Sequence, residues 1–260
     1  MTETHALEIE GLTIRFGGLV ANRDVTMQVR KGELRAVIGP NGAGKTTLFN
    51  GISGEVPLES GRVRIAGTEV TGTRPHLMRG AGLARAYQVP QVFGGMTVRD
   101  NLWIAQVTDR PERRRPFASA AGLARSSSRV EEIAEAVGLA PRLDHPADEL
   151  SHADQKVLDI GIALMLEPKV LLLDEPTQGV SPEEITAIHD VVTEATNRTT
   201  VLMIEHNMET VLGLSDHVTV LAHGAVIADG TPEQIMADEN VQQIYMGHAP
   251  AAAKEEPTDA

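Results

Sequence analysis

The chain has no cysteine, which excludes disulfides and thiolate chemistry and suits a reducing compartment. Basic residues are scarce: 23 lysines and arginines stand against 36 acids, for a net charge of −13. That balance argues against non-specific attraction to nucleic acid or anionic lipid and favours solubility. Long apolar runs are also missing. The best two, Ile160–Leu166 and Val170–Leu173, are split by Glu167-Pro168-Lys169. Neither approaches the roughly 20 residues of a membrane span. Met1–Thr13 is polar and alternating, without the apolar stretch of a secretory signal. These absences predict a cytosolic protein that reaches a membrane only through a partner.

What is present is enough for a sizeable core. A chain of 260 residues with 42% apolar content makes one large domain or two modest ones sharing an interface. Leu7, Ile9, Leu12, Ile14 and Phe16 roughly alternate with polar residues, as do Val25, Met27 and Val29; both stretches predict strands. Leu34–Ile38 reads as a short buried strand despite Arg35, followed by a glycine-rich loop and a helix over Thr46–Ile52. Arg62–Ile65 is a further strand. Thr97–Val107 and Ser128–Val137 read as helices separated by a surface connection, Thr108–Ser127. Its Arg113-Arg114-Arg115 run is either a solvated face or a partner-binding patch. An α/β rhythm returns at 169: strand Val170–Leu173, helix Pro182–Thr196, strand Thr200–Ile204, helix Met208–Leu214. Strands Val218–Leu221 and Ala225–Asp229 then flank His223-Gly224 as a hairpin, and Pro232–Met236 opens a final helical stretch. Ala249–Ala260 reads as a loose tail.

Three segments carry chemistry. Gly39-Pro40-Asn41-Gly42-Ala43-Gly44-Lys45-Thr46-Thr47 matches G-x-x-x-x-G-K-[ST], after a predicted strand and before a predicted helix. Glycines let backbone N–H groups wrap phosphate oxygens, and the helix N-terminus favours the anion. Lys45 adds a full charge at the β/γ-phosphates, and Thr46 offers a hydroxyl to Mg²⁺. Val170–Leu173 ends in Asp174-Glu175. The first carboxylate can hold Mg²⁺ through water and the second can polarise an attacking water. His206, just past a strand end, faces the same sheet edge.

Together the loop at 39–47, Gln88, Leu150-Ser151, Leu173-Asp174-Glu175-Pro176-Thr177 and His206 resemble the ABC ATPases in order and spacing, over about residues 7 to 248. The resemblance implies an α/β fold of the ABC type of P-loop NTPase. Its parallel-sheet core is RecA-like, with an antiparallel β subdomain and an α-helical subdomain. Residues 7–88 and 169–248 would form the ATP-binding part, residues 89–168 the helical part, and 249–260 the tail. It also implies roles. Phe16 would stack on adenine, although read alone it is as readily a core phenylalanine on an edge strand. Gln88 would reach Mg²⁺ and the attacking water, Gln178-Gly179-Val180-Ser181 would cross a dimer interface, and His206 would be the switch histidine. Ser151 would cap the γ-phosphate of ATP bound by an opposite subunit.

One departure stands out. The family's usual Leu-Ser-Gly-Gly-Gln is Leu150-Ser151-His152-Ala153-Asp154 here. Added Cβ atoms and a negative charge near an anion predict weaker service to the partner's ATP, unless Lys156 neutralises Asp154. Phe16-Gly17-Gly18-Leu19, the segment from Tyr87-Gln88 to Asn101-Leu102, and Ile204-Glu205-His206-Asn207-Met208 resemble ATPases of branched-chain amino-acid uptake systems. Leu150-Ser151-His152 also looks like their urea/short-amide subgroup. The implied partners are integral-membrane permease subunits, a second ABC ATPase and, indirectly, a solute-binding protein, with the chain on the cytoplasmic face of the cell membrane. The rivals are a soluble ABC ATPase of the repair or translation type, an exporter motor, and a P-loop kinase or GTPase. Two cassettes or a long coiled coil, an acceptor site and lid, and a guanine-reading Asn-Lys-x-Asp, which the soluble ATPase, kinase and GTPase would need, are not found.

Overall fold

A computed structural model describes residues 5–107 and 120–246. The Arg113-Arg114-Arg115 run and the expected tail lie outside the described residues.

Two sheets organise the chain. Strands β1 (His5–Phe16), β2 (Leu19–Arg30), β4 (Ser60–Ile65) and β5 (Thr68–Glu69) form an antiparallel sheet in the order β2-β1-β4-β5. The second sheet holds β3 (Leu34–Ile38), β6 (Leu83–Ala86), β7 (Val170–Asp174), β8 (Thr200–Ile204), β9 (His217–Ala222) and β10 (Ala225–Gly230). Its order is β10-β9-β3-β8-β7-β6, with only the β9–β10 hairpin antiparallel. Every residue of β3, β7 and β8 is buried, as expected of central parallel strands covered on both faces.

The two-residue period assigns each face its own core. Leu171, Leu173, Val201 and Met203 join a cluster under the helices, while Val170, Leu172, Leu202 and Ile204 join one under the antiparallel sheet. Helix α1 (Lys45–Ile52) lies in the second cluster through Leu48, Phe49 and Ile52. Helices α3 (Val98–Val107), α4 (Ala120–Ala136), α5 (His152–Leu164), α6 (Pro182–Arg198), α7 (Met208–Leu214), α8 (Pro232–Ala237) and α9 (Glu239–Met246) all contribute to the first cluster. Arg35 is tolerated inside β3 because its guanidinium meets Glu33 at 2.7 Å, Asp229 at 2.7 Å and the Thr219 hydroxyl at 3.1 Å.

Helix starts follow local chemistry. Asn207 caps α7 by accepting the Thr210 N–H, and Thr231 with Gln234 forms a capping box on α8. Pro182 and two glutamates open α6, and Arg198 closes it.

Some short elements were not expected. Helix α2 (Pro75–Ala81), β5 and β6 are short, and β6, Leu-Ala-Arg-Ala, offers neither alternation nor β-branched residues. The surface connection expected over Thr108–Ser127 is also corrected, because α4 already begins at Ala120. Alanine, leucine and arginine are strong helix formers, and Ser126 and Ser127, expected in the connection, lie inside that helix.

Candidate active site

Strand β3 ends at Ile38, and the loop 39–44 passes directly into α1. Two glycines are required by space. At Gly39, with φ +153°, a Cβ would lie 2.1 Å from the Leu221 carbonyl oxygen; at Gly44, with φ +99°, it would lie 2.5 Å from that of Ala21. The loop is also tied from outside. Asn22 Nδ2 donates to the Gly44 carbonyl at 3.1 Å, and the Gly224 N–H to that of Ala43 at 3.0 Å. Lys45 Nζ donates to the carbonyls of Gly39 at 2.7 Å and Pro40 at 3.1 Å. Burial pushes the Lys45 amine below its ordinary pKa, opposed by Glu175 and then Asp174.

Above the loop lies a cleft of about 520 Å³ that runs from Phe16 past Asn41–Thr47 to Glu175 and His206. Phe16 is 49% exposed at its mouth, so the core-phenylalanine reading is set aside. The opposite wall is built by neighbouring strand ends, since β7 pairs with β8 and β8 with β3. Glu175 follows β7 with φ 51°, a left-handed conformation costing a non-glycine residue on the order of 1–3 kcal/mol. Its Oε2 accepts from Gln88 Nε2 at 2.8 Å, and its Oε1 lies 2.5 Å from His206 Nε2. Gln88 and His206 therefore each contact Glu175, and Glu175 and His206 line the same cleft as Lys45 and Thr46.

Asp174 sits behind them. One carboxylate oxygen accepts from Arg85 Nη2 at 2.6 Å, and the other is buried without a partner. Burial pushes this carboxyl up, and Arg85 pulls it partly back. Among the described residues no cluster of three or more histidines or acids could hold a metal by itself. The fitting ion is a hard cation that arrives on a phosphate and borrows one or two protein oxygens. The free Asp174 oxygen and the Thr46 hydroxyl suit that description.

Ser151 is not in this cleft. It caps α5, accepting the Asp154 N–H at 3.1 Å, and is exposed. Asp154 is ion-paired with Arg142, from a 3-10 turn at Ala140–Arg142. The proposed neutralisation by Lys156 is thus corrected: Lys156 is 3% exposed, and its Nζ donates to the carbonyls of Gln88 and Glu175, both at 3.1 Å.

Sequence reading missed Arg85 and Asp159, and it gave Lys156 the wrong partner. Arg85 bonds Asn50 and Asp174 and stacks over the Tyr87 ring at 4.7 Å. The Asp159 carboxylate accepts the N–H groups of Tyr87 at 2.9 Å and Gln91 at 3.3 Å, on either side of Gln88. Charged residues inside otherwise apolar segments were the one signal available for them.

A family profile described as ABC transporter matches residues 22–178, and one described as branched-chain amino acid ATP-binding cassette transporter matches residues 225–251. The high-affinity branched-chain amino acid transport ATP-binding protein BraF of Pseudomonas aeruginosa is 37% identical over 255 residues, covering 94% of this chain and 98% of the relative. Its counterpart LivG of Escherichia coli K12 is 34% identical over 256 residues, with 94% and 98% covered. Among solved structures, an ATP-binding cassette of an ABC transporter in its ADP conformation superposes with a TM-score of 0.80 at 33% identity, covering 95% of this chain and 100% of that one. A glycine loop backed by a carboxylate pair, in this sheet order and with these relatives, leads to one conclusion: the chain belongs to the ABC transporter family, as an ATP-binding subunit that hydrolyses ATP.

Proposed function

We propose that this subunit is the motor of an importer for branched-chain amino acids or related small polar solutes such as urea and short amides. It would act on the cytoplasmic face of the cell membrane, against permease subunits that receive cargo from a solute-binding protein. The relatives' transport of branched-chain amino acids and the α-helical half carrying Ser151 support that reading. Residues 7–88 and 169–248 form the ATP-binding part of the proposed motor and residues 89–168 the helical part. A second ABC ATPase faces the cleft and presents its own serine at the position of Ser151.

The observation that carries the proposed chemistry is the contact of Glu175 with both Gln88 and His206, opposite Lys45 and Thr46. The backbone N–H groups of Gly39, Asn41, Gly42, Ala43 and Gly44, with those of Thr46 and Thr47, grip the phosphates, Pro40, which has no N–H, shapes the loop between them, and Lys45 turns from its own loop carbonyls to the β/γ-phosphates. Phe16 stacks on the adenine ring. Thr46, Asp174 and Gln88 would hold a magnesium ion, which when bound would supply charge neutralisation on the phosphates. Glu175 orients a water for in-line attack and takes its proton, with His206 and Gln88 fixing the carboxylate from both sides.

Glu175→Gln is the test. Steady-state hydrolysis should fall by about a hundredfold or more while ATP binding is retained, because the amide keeps the shape and loses the base. Turnover at the wild-type rate would move the base elsewhere.

A further inference from the structure

Behind the contact of Glu175 with His206 lies a second buried carboxylate, Glu205, 2% exposed at the end of β8. Its partners come from two turns. Oε1 accepts the Thr177 N–H at 2.9 Å and the Thr177 hydroxyl at 2.5 Å. Oε2 accepts the N–H of His206 at 2.8 Å and that of Asn207 at 3.1 Å. A charge this deep persists only when its lone pairs are met and a counter-charge is near. Four donors meet the first need, and Lys156 meets the second. Burial depresses the Lys156 amine, and Glu205 is the first of the carboxylates opposing that shift.

The geometry matters because Thr177 follows Glu175 by two residues and His206 follows Glu205 directly. One side chain therefore spans the turn after β7 and the turn after β8, the two turns whose side chains meet at 2.5 Å. We infer that Glu205 is a positioning residue for ATP hydrolysis, setting the register of His206 against Glu175 by gripping the backbone of both turns at once. This rests on the roles proposed above for Glu175 and His206. An isosteric amide cannot replace it. Glutamine has one acceptor oxygen, so its NH₂ group must face either the Thr177 donors or the two N–H groups of 206 and 207.

The experiment compares Glu205→Gln, Thr177→Val, His206→Ala and the double variant Glu205→Gln/His206→Ala in the full-length chain. Steady-state turnover, equilibrium binding of ATP with magnesium, and the urea midpoint are all measured. Glu205→Gln should lower kcat between about tenfold and a hundredfold while KM and ATP affinity stay within about twofold, the pattern of a misplaced group rather than a lost binding contact. Thr177→Val, which removes one of the four donors, should lower kcat by less. In the His206→Ala background, Glu205→Gln should add no further loss.

Wild-type kcat in Glu205→Gln beside an inactive His206→Ala overturns the inference alone, and so does an equal loss in both backgrounds. A fall in ATP affinity that matches the fall in kcat also overturns it. Full turnover in His206→Ala overturns the reading beneath it, and the inference with it. If Glu205→Gln does not fold, Thr177→Val decides: unchanged kcat overturns the inference.

Discussion

Arg85 and Asp174 show what a single buried pair does at this site. Their side chains are 6% and 4% exposed and meet at 2.6 Å. Pairs of this kind add little net stability compared with apolar residues, but removing one partner strands the other in low dielectric. Arg85→Gln should therefore lower the unfolding free energy by about 3 kcal/mol in urea titrations at neutral pH. Arg85→Lys should cost less, because it keeps the charge and loses only the forked geometry that reaches Asn50 and Asp174 together. Equal losses for the two variants would show that the guanidinium shape, not its charge, is what Asp174 needs. Glu175 is the opposite case: its left-handed backbone costs stability, and the hydrogen bond from its N–H to the Ile204 carbonyl at 2.9 Å holds it there.

Helix α5 is the element on which most of the site converges. Its first residues carry the altered signature. Lys156 and Asp159, three apart and so on one helical face, reach the backbone of the segments holding Gln88 and Glu175. The sequence led us to expect that Asp154 would weaken service to an opposite nucleotide, but Arg142 already meets that charge. The outcome is testable in the assembled transporter, on the reading that this helix end faces the partner's ATP. Arg142→Ala should lower ATP turnover, and adding Asp154→Gln should restore it. Asp154→Gln alone should change little. The same variants should leave stability within about 0.5 kcal/mol, since Arg142 is half exposed and exposed pairs contribute little. A loss of turnover that Asp154→Gln does not rescue would mean Arg142 acts on something other than Asp154.

On the scale of the whole molecule, the central sheet is sealed by helices on one face and by α1 and the antiparallel sheet on the other. Asp159 links the helical half to the loop of Gln88 across that arrangement. Burial pushes its carboxyl up to about 6 from the ordinary 3.8, opposed by the N–H groups of Tyr87 and Gln91 and by Lys156. Between those two values the folded chain holds a proton that the unfolded chain has released, so this group adds stability as pH falls and withdraws it as pH rises through about 6. Asp159→Asn cannot titrate. Urea midpoints of wild type and variant should therefore diverge in favour of wild type on going from about pH 6 to about pH 4. Parallel curves would mean that the carboxyl keeps its ordinary value in the fold.

The phosphate loop, the carboxylate pair and the buried strands were legible in the string of residues because each is local chemistry. Consecutive amides, glycine spacing and a two-residue period need no distant partner. The same holds for the helix starts at Ser181-Pro182 and Thr231-Pro232. Short elements such as β6 were not legible, since four residues carry too little pattern. Nor were the assignments of Arg85 to Asp174, Arg142 to Asp154, and Lys156 to the carbonyls of Gln88 and Glu175. Those pairings join residues from 12 to 89 positions apart. Only the order in which strands β6, β7, β8 and β3 lie side by side, and the packing of α5 against them, selects which charge ends beside which. Local propensity says that a charged residue is present; the folded neighbourhood, by excluding water, determines what must answer it.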